Sequence, residues 1–424
     1  MSEPTDILSC PLHAVDTTDP EFLQDPHPFY RRLRQEAPVY RHPETNIVSV
    51  ASYELIRSVG AKPLIYSNNF AAQLQSGGKA ERDADEATIQ AQGRVIPDTL
   101  LTADPPAHTR YRKLAMKAFS YKRILQMGDY VEALVDELID DLPEGGCEFK
   151  TTFANKLPMF VIADALGIDR ANYSDFEEWS NAFVIQLSGV ADKPTRLWAA
   201  EKIVAFQNAF VKIIGEKRKN RAEDVISDLV HADLSEDGDD RKMTDEELLS
   251  IIQQLLVAGN ETTAHTLTAG LYYLIEHPDQ MSELRADPAK VNNFVEEVFR
   301  YLTPSNNMWR ICMQDTELAG VKISEGDLVL LRYGSGNRDE SHFPNSDSFD
   351  LNRENAKTHL AFGAGIHSCL GAQLARKELQ IAFPKILKHL DNIALKDTKE
   401  PLMYIPSILL RGVFGLNITY DKRA

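Results

Sequence analysis

Residues 362–371 read F-G-A-G-I-H-S-C-L-G and hold one cysteine, Cys369, among three glycines and near His367. Directly behind them, 372–390 carries Leu374, Leu379, Ala382 and Ile386 at helical spacing, which predicts an amphipathic helix. A cysteine at the mouth of a helix faces unpaired N–H groups and the positive end of the helix dipole, and both favour thiolate over thiol. Glycines on either side let backbone approach whatever the sulfur holds. The pattern suits a nucleophile or an axial metal ligand. A buried structural cysteine needs neither the glycines nor the helix mouth.

Two further segments gather polar groups. In 104–112, D-P-P-A-H-T-R-Y-R, the prolines start a helix that sets His108 and Arg112 four residues apart on one face. They can clasp a carboxylate there, or form a solvated basic face. In 258–263, A-G-N-E-T-T lies inside a long predicted helix that opens on a capping box, Thr244 with Glu247, and stops at His277-Pro278. That helix is roughly 45–50 Å long at 1.5 Å per residue, and Ile251, Leu255, Leu256 and Ala258 make it a central, buried one. Its middle is a poor helical interior. Glycine costs about 1 kcal/mol against alanine and two threonines add to that, while a charged Glu261 must be solvated or paired. Local weakness coinciding with polarity marks function. The Thr262 hydroxyl can bond the Ala258 carbonyl, bend the helix and open a groove for water or dioxygen. His265, one turn beyond Glu261, reads as a satisfied core histidine.

The elements around these segments are mainly helical. Helices are predicted over 28–36, 52–58, 128–142, 153–166, 173–188, 196–220 and 289–301, with strand-like runs in 39–50, 318–331 and 401–420. The stretch 66–93 is polar and uneven and is expected to be a loop, either a lid or disordered. Phe176, Trp179 and Phe183 line one amphipathic helix. Glu297 and Arg300 lie three apart on another, a spacing that by itself contributes a few tenths of a kcal/mol.

Composition narrows the class. No repeat, linker or low-complexity tract divides the 424 residues, so a single domain over 1–424 is expected. A net charge of −17 argues against a nucleic-acid surface. Cys10, Cys147, Cys312 and Cys369 are widely spaced and contain no C-x-x-C pair, the usage of a reducing cytosol. No signal peptide and no run of about 18 apolar residues is apparent, so a cytoplasmic protein with no membrane contact is expected.

The loop F-G-x-G-x-H-x-C-x-G resembles the haem-binding loop of the bacterial cytochromes P-450, whose cysteine thiolate is the proximal ligand of haem iron. D-P-P-x-H-x-x-x-R and A-G-x-E-T-T are similar to further motifs of that family, in the same order along the chain. The resemblance spans about Pro105 to Arg376. It implies a mainly α fold with small β-sheets, the haem lying between a long central helix and the cysteine-loop helix. It further implies haem b with Cys369 as axial thiolate and with Phe362, Gly363 and Ala258 against the macrocycle. His108, Arg112, Arg310 and His367 would hold the propionates, and Glu261 with Thr262 would deliver protons to bound O2. Glu297, Arg300 and Arg353 match a buried structural ion-pair set, whose truncation would strand a charge at about 3–5 kcal/mol.

The implied reaction is insertion of one atom of O2 into a hydrophobic small molecule, a terpenoid, steroid, fatty acid or aromatic compound. Electron donation from a thiolate that favours O–O cleavage is a property of that family. Electrons would come from a separate ferredoxin or flavodoxin with its NAD(P)H reductase, docking on a local basic patch for which Arg110, Lys113, Lys117, Lys357 and Lys377 are candidates. A monomer with no fused reductase is expected. Asn306, Asn307 and Met308 precede Arg310 and would run past the haem, so one of the two amides could position a substrate oxygen. Phe183 and Ile408 are further pocket candidates. Three other readings compete: a peroxide-using hydroxylase on the same fold, a haem-binding sensor without turnover, and a thiol hydrolase using Cys369. The acid–alcohol pair speaks against the first two, and the closeness of His367 in sequence against the third.

Overall fold

A computed structural model describes residues 11–70, 84–119, 121–170, 173–188, 191–235, 238–397 and 402–423. Five helices carry the argument: α1 His27–Glu36, α2 Ala107–Ala118, α3 Asp245–Glu276, α4 Val291–Leu302 and α5 Ala372–His389. Helix predominates, as expected, and the strands are short. The chain forms two compact units, residues 1–68, 128–157 and 262–424 in one and 69–127 with 158–261 in the other. α3 contributes to both.

The first unit contains the largest sheet. Its strands are β1 Val39–Arg41, β2 Val48–Val50, β3 Tyr66–Ser67, β4 Met308–Cys312 and β5 Leu328–Leu331, in spatial order β1-β2-β5-β4-β3. The β1–β2 hairpin turns at Asn46, whose φ of 57° is one that asparagine tolerates better than most residues. β2 pairs parallel with β5 and every other pairing in this sheet is antiparallel. Val39, Val48, Val50, Val329 and Leu331 pack with Tyr53, Ile56 and Phe343 into one buried cluster. A second sheet joins Gly146–Glu148, Asn417–Lys422 and Leu390–Leu395. The cysteine-loop helix therefore ends one residue earlier than its periodicity suggests, and the chain passes straight into a strand. Within 401–420 the strand expected from sequence begins at Asn417, and before it the described residues make isolated bridges, Tyr404 with Val413 and Leu410 with Ser305.

The second unit packs helix on helix. Phe176, Trp179 and Phe183 of Tyr173–Ser188 meet Phe206 and Phe210 of Lys193–Lys219, with ring centroids 4.5–6.2 Å apart. The expected loop over 66–93 is only partly a loop. Its start is β3, and Ala84–Gln90 is helical, with Asp85 and Glu86 in its first turn paired with Lys193 and Arg196. Residues 71–83, on which the lid reading rests, lie outside the described residues. At the start of α3 the capping box forms: the Glu247 amide donates to Thr244 Oγ1 at 3.2 Å and the Thr244 amide donates to Glu247 Oε2 at 2.8 Å.

Candidate active site

The cysteine loop belongs to the first unit. Gly363 and Gly365 have φ of 70° and 77°, and a Cβ at Gly365 would lie 1.9 Å from the Gly60 carbonyl oxygen, so no other residue fits there. The Gly363 amide donates to the Leu360 carbonyl at 2.8 Å and the Cys369 amide to the Phe362 carbonyl at 2.9 Å, which closes the loop on itself. The Cys369 side chain is nevertheless exposed, two residues before the N-cap of α5 at Gly371. A tied-down loop that holds its one thiol outward, at a helix N-terminus, presents the sulfur as a ligand or nucleophile rather than as packing. Phe362 is wedged behind it between Phe299, at 4.6 Å, and the Arg376 guanidinium, at 4.5 Å.

Arg310 projects from β4 and is buried, 3% exposed. Its guanidinium bonds the Trp309 carbonyl at 2.7 Å, and among the described residues it forms no ion pair with a carboxylate. A buried guanidinium without an internal counter-charge suits an anionic group supplied from outside the chain. This donor set, an outward thiolate and a buried unmatched guanidinium, fits a haem with its carboxylate side chains.

In the second unit, His108 and Arg112 lie on α2 as expected, His108 buried and Arg112 half-buried. Burial, then the charge of Arg112, lowers the His108 pKa below its ordinary value, so the imidazole is neutral at working pH. Arg110 is not a free basic group: it pairs with Asp239 at 2.7 Å and bonds the Arg241 carbonyl at 2.6 Å. Lys117 donates to the Asp233 carbonyl at 2.8 Å. Arg110 thus meets an opposite charge in the acidic loop, and Lys117 is tied to the same loop through a carbonyl.

α3 stays helical through Ala258, Glu261 and Thr262. One turn on, Thr266 Oγ1 donates to the Thr262 carbonyl at 2.6 Å. His265 is a core histidine. Its Nδ1 accepts the Val413 amide at 3.1 Å, and burial followed by the Lys150 charge lowers its pKa to about 3. A Cβ at Gly412 would lie 2.5 Å from His265 Nε2, which explains the glycine in that turn.

Asn306 and Asn307, expected to run past the haem, make contacts within the protein. Both are buried, and their amide nitrogens are engaged within the protein, while Asn306 Oδ1 has no hydrogen-bond partner among the described residues. Asn306 Nδ2 lies 3.1 Å and Asn307 Nδ2 3.2 Å from the Tyr30 hydroxyl, and Asn307 Nδ2 also bonds the Ile408 carbonyl. Both backbone amides donate to the Leu409 carbonyl, at 2.8 and 3.1 Å. The asparagines tie the turn at 407–409 to α1. Ile408 and Met308 remain half-buried. Phe183 is wholly buried, edge-on to Phe206 at 5.1 Å.

The structural triad is complete. Arg300 bonds both oxygens of Glu297, at 2.6 and 2.7 Å, and Arg353 Nε lies 2.9 Å from Oε1. A group that sequence reasoning missed sits one residue earlier: Glu296 accepts from Arg376 at 2.7 Å and lies 3.1 Å from His359 Nε2. The doublet Glu296-Glu297 was its only sequence signal.

The family model for cytochrome P450 matches residues 63–413. This chain is a cytochrome P450. Cytochrome P450 monooxygenase PikC of Streptomyces venezuelae is 34% identical over 422 residues, 98% of this chain and 95% of the relative. Among solved structures, cytochrome P450 CYP109Q5 from Chondromyces apiculatus superposes with a TM-score of 0.84 at 31% identity, over 97% of this chain and 100% of that one. CYP109E1 from Bacillus megaterium in complex with testosterone gives 0.80 at 27% identity, over 93% and 99%. The P450 fold, the haem-thiolate cofactor and monooxygenase chemistry follow from membership. Among the described residues no helix is long and apolar enough to cross a membrane.

Proposed function

We propose that this cytochrome P450 hydroxylates a hydrophobic small molecule of the terpenoid, steroid, fatty-acid or aromatic kind, with electrons from a separate ferredoxin or flavodoxin and its NAD(P)H reductase. Cys369 supplies the thiolate. The observation that carries this assignment is its outward sulfur on a loop closed by the Cys369–Phe362 backbone bond. A haem held by Cys369 would supply O2 activation and the insertion of one oxygen atom into a C–H bond of the substrate. The residues of the chain bind and orient around that chemistry. Arg310 and His367, and His108 with Arg112, neutralise the two propionates, and the neutral His108 donates one N–H beside the Arg112 cation. Phe362, Gly363 and Ala258 pack against the ring faces. Glu261 takes a proton at a carboxylate oxygen and Thr262 Oγ1 relays it, which keeps electrons in product rather than in peroxide.

The structure of CYP109E1 with testosterone supports substrates of steroid size within the proposed range. The test is spectral titration of the ferric protein with a panel of such molecules, followed by NADH-driven turnover with a ferredoxin and its reductase. We expect a ligand that displaces iron-bound water to become hydroxylated. Conversion with added peroxide but none with carrier and O2 would overturn the electron source.

A further inference from the structure

We propose that Glu296, His359 and Arg376 form a clamp that closes the cysteine loop from both ends and thereby keeps the Cys369 thiolate on iron. The proposal rests on Cys369 being the haem ligand. His359 lies just before the loop and Arg376 just after it, and both bond one carboxylate on α4. Arg376 approaches with two donors, Nε at 2.7 Å from Oε1 and Nη2 at 3.1 Å from Oε2, in the forked geometry that suits a carboxylate. His359 Nε2 is 3.1 Å from Oε2.

The other imidazole nitrogen sets the tautomer. The Ala361 amide donates to His359 Nδ1 at 3.2 Å, so the ring proton sits on Nε2 and is given to Glu296. From Arg376 the constraint reaches the cysteine in two steps. Its guanidinium lies 4.5 Å over the Phe362 ring, and the Phe362 carbonyl takes the Cys369 amide at 2.9 Å. Glu296 is 3% exposed and His359 6%, so moving either end of the loop means breaking hydrogen bonds to a buried carboxylate. Residues 359–371 contain no α-helix or strand, only turns and the 3-10 helix Gly365–His367, and the clamp adds framework at both ends of that segment. Glu296, His359 and Arg376 are positioning residues, acting on the thiolate through the loop.

The test compares holoenzyme carrying Glu296→Gln, Glu296→Asp and Arg376→Lys with the unaltered protein. Three readouts are taken: the ferrous carbon-monoxide spectrum over time, the ferric/ferrous potential, and amide hydrogen exchange at Ala361 and Cys369. We expect Glu296→Gln and Arg376→Lys to convert the red-shifted thiolate band to the shorter-wavelength thiol form about tenfold faster. Exchange at both amides should rise by a similar factor, and Glu296→Asp should recover part of the loss. Variants that melt earlier yet keep the band, the potential and both exchange rates would overturn the clamp and leave only a structural ion pair. Unaltered protein with bound haem but no thiolate band would overturn the ligand assignment, and the clamp with it.

Discussion

Glu296 and Glu297 are consecutive residues of α4, and a helix turns about 100° per residue, so their carboxylates serve different parts of the chain. Glu297 accepts from two guanidiniums. Arg300 spends its remaining donors on the carbonyls of Asn337, Ser346 and Ser348, and Arg353 on those of Pro344, Asn345 and Ser348. A long irregular segment cannot pair its own carbonyls, and buried carbonyls require partners, so the two arginines collect them. Glu296 accepts from one guanidinium and one imidazole and collects no such set. The Glu297 cage is sealed, with side-chain exposures of 0% for Glu297 and Arg300 and 5% for Arg353, whereas Arg376 in the Glu296 clamp is 18% exposed. The first builds the fold. The second governs a single loop.

Removing the acceptor separates the two most sharply. Glu297→Gln leaves two buried cations unmatched and should cost about 3–5 kcal/mol in urea denaturation, enough to deplete folded holoenzyme. Glu296→Gln should cost less, because Arg376 can turn toward water, and its main effect should fall on the thiolate band. Equal losses for the two would erase the distinction.

A buried knot without charge provides an intermediate case. Asn307→Leu leaves the Ile408 carbonyl short of a donor and the Tyr30 hydroxyl short of its acceptor, Asn307 Oδ1, at about 1–3 kcal/mol. Chemical denaturation should show that loss, and substrate spectral titration of the folded fraction should change little. A large change in substrate affinity at unaltered stability would restore Asn307 to the pocket.

Acid separates the sites most gently. Burial lowers the His359 pKa despite the opposing pull of Glu296, while burial, which would raise Glu296, is outweighed by hydrogen bonds from His359 and Arg376 that hold it at about 2. A depressed histidine gives stability that is complete above its unfolded value near 6.5 and is lost as pH falls through the folded one; the Glu296 share persists until pH falls below about 4.5. Denaturation midpoints should therefore fall as pH drops below 6.5, and His359→Gln should flatten part of that slope. His265, held at about 3, contributes to the same fall. The Glu297 cage contains no histidine, so its arginine variants should leave the slope unchanged.

How far the sequence was readable follows from the distance between partners. The capping box of α3, the Glu297–Arg300 pair and the glycine-bounded cysteine loop are local patterns, and each shows in spacing alone. The ties of Asn306 and Asn307 do not show in the sequence because their partners, Tyr30 and Ile408, lie 276 and 101 residues away. Polarity before a strand does not tell a substrate contact from a buried tie. Glu296 escaped for the same reason, with His359 and Arg376 at 63 and 80 residues. Arg110 looked like a docking cation because a charge on a helix does not reveal the carboxylate that meets it.

The ferrous carbon-monoxide difference spectrum of unaltered protein and of Cys369→Ser, at matched haem content, tests the central assignment most directly. The account predicts the red-shifted thiolate band in the first and its loss in the second. Burial raises the pKa of both Cys147 and Cys312, which makes them poor substitutes as thiolate donors. A thiolate band that survives in Cys369→Ser would contradict the account.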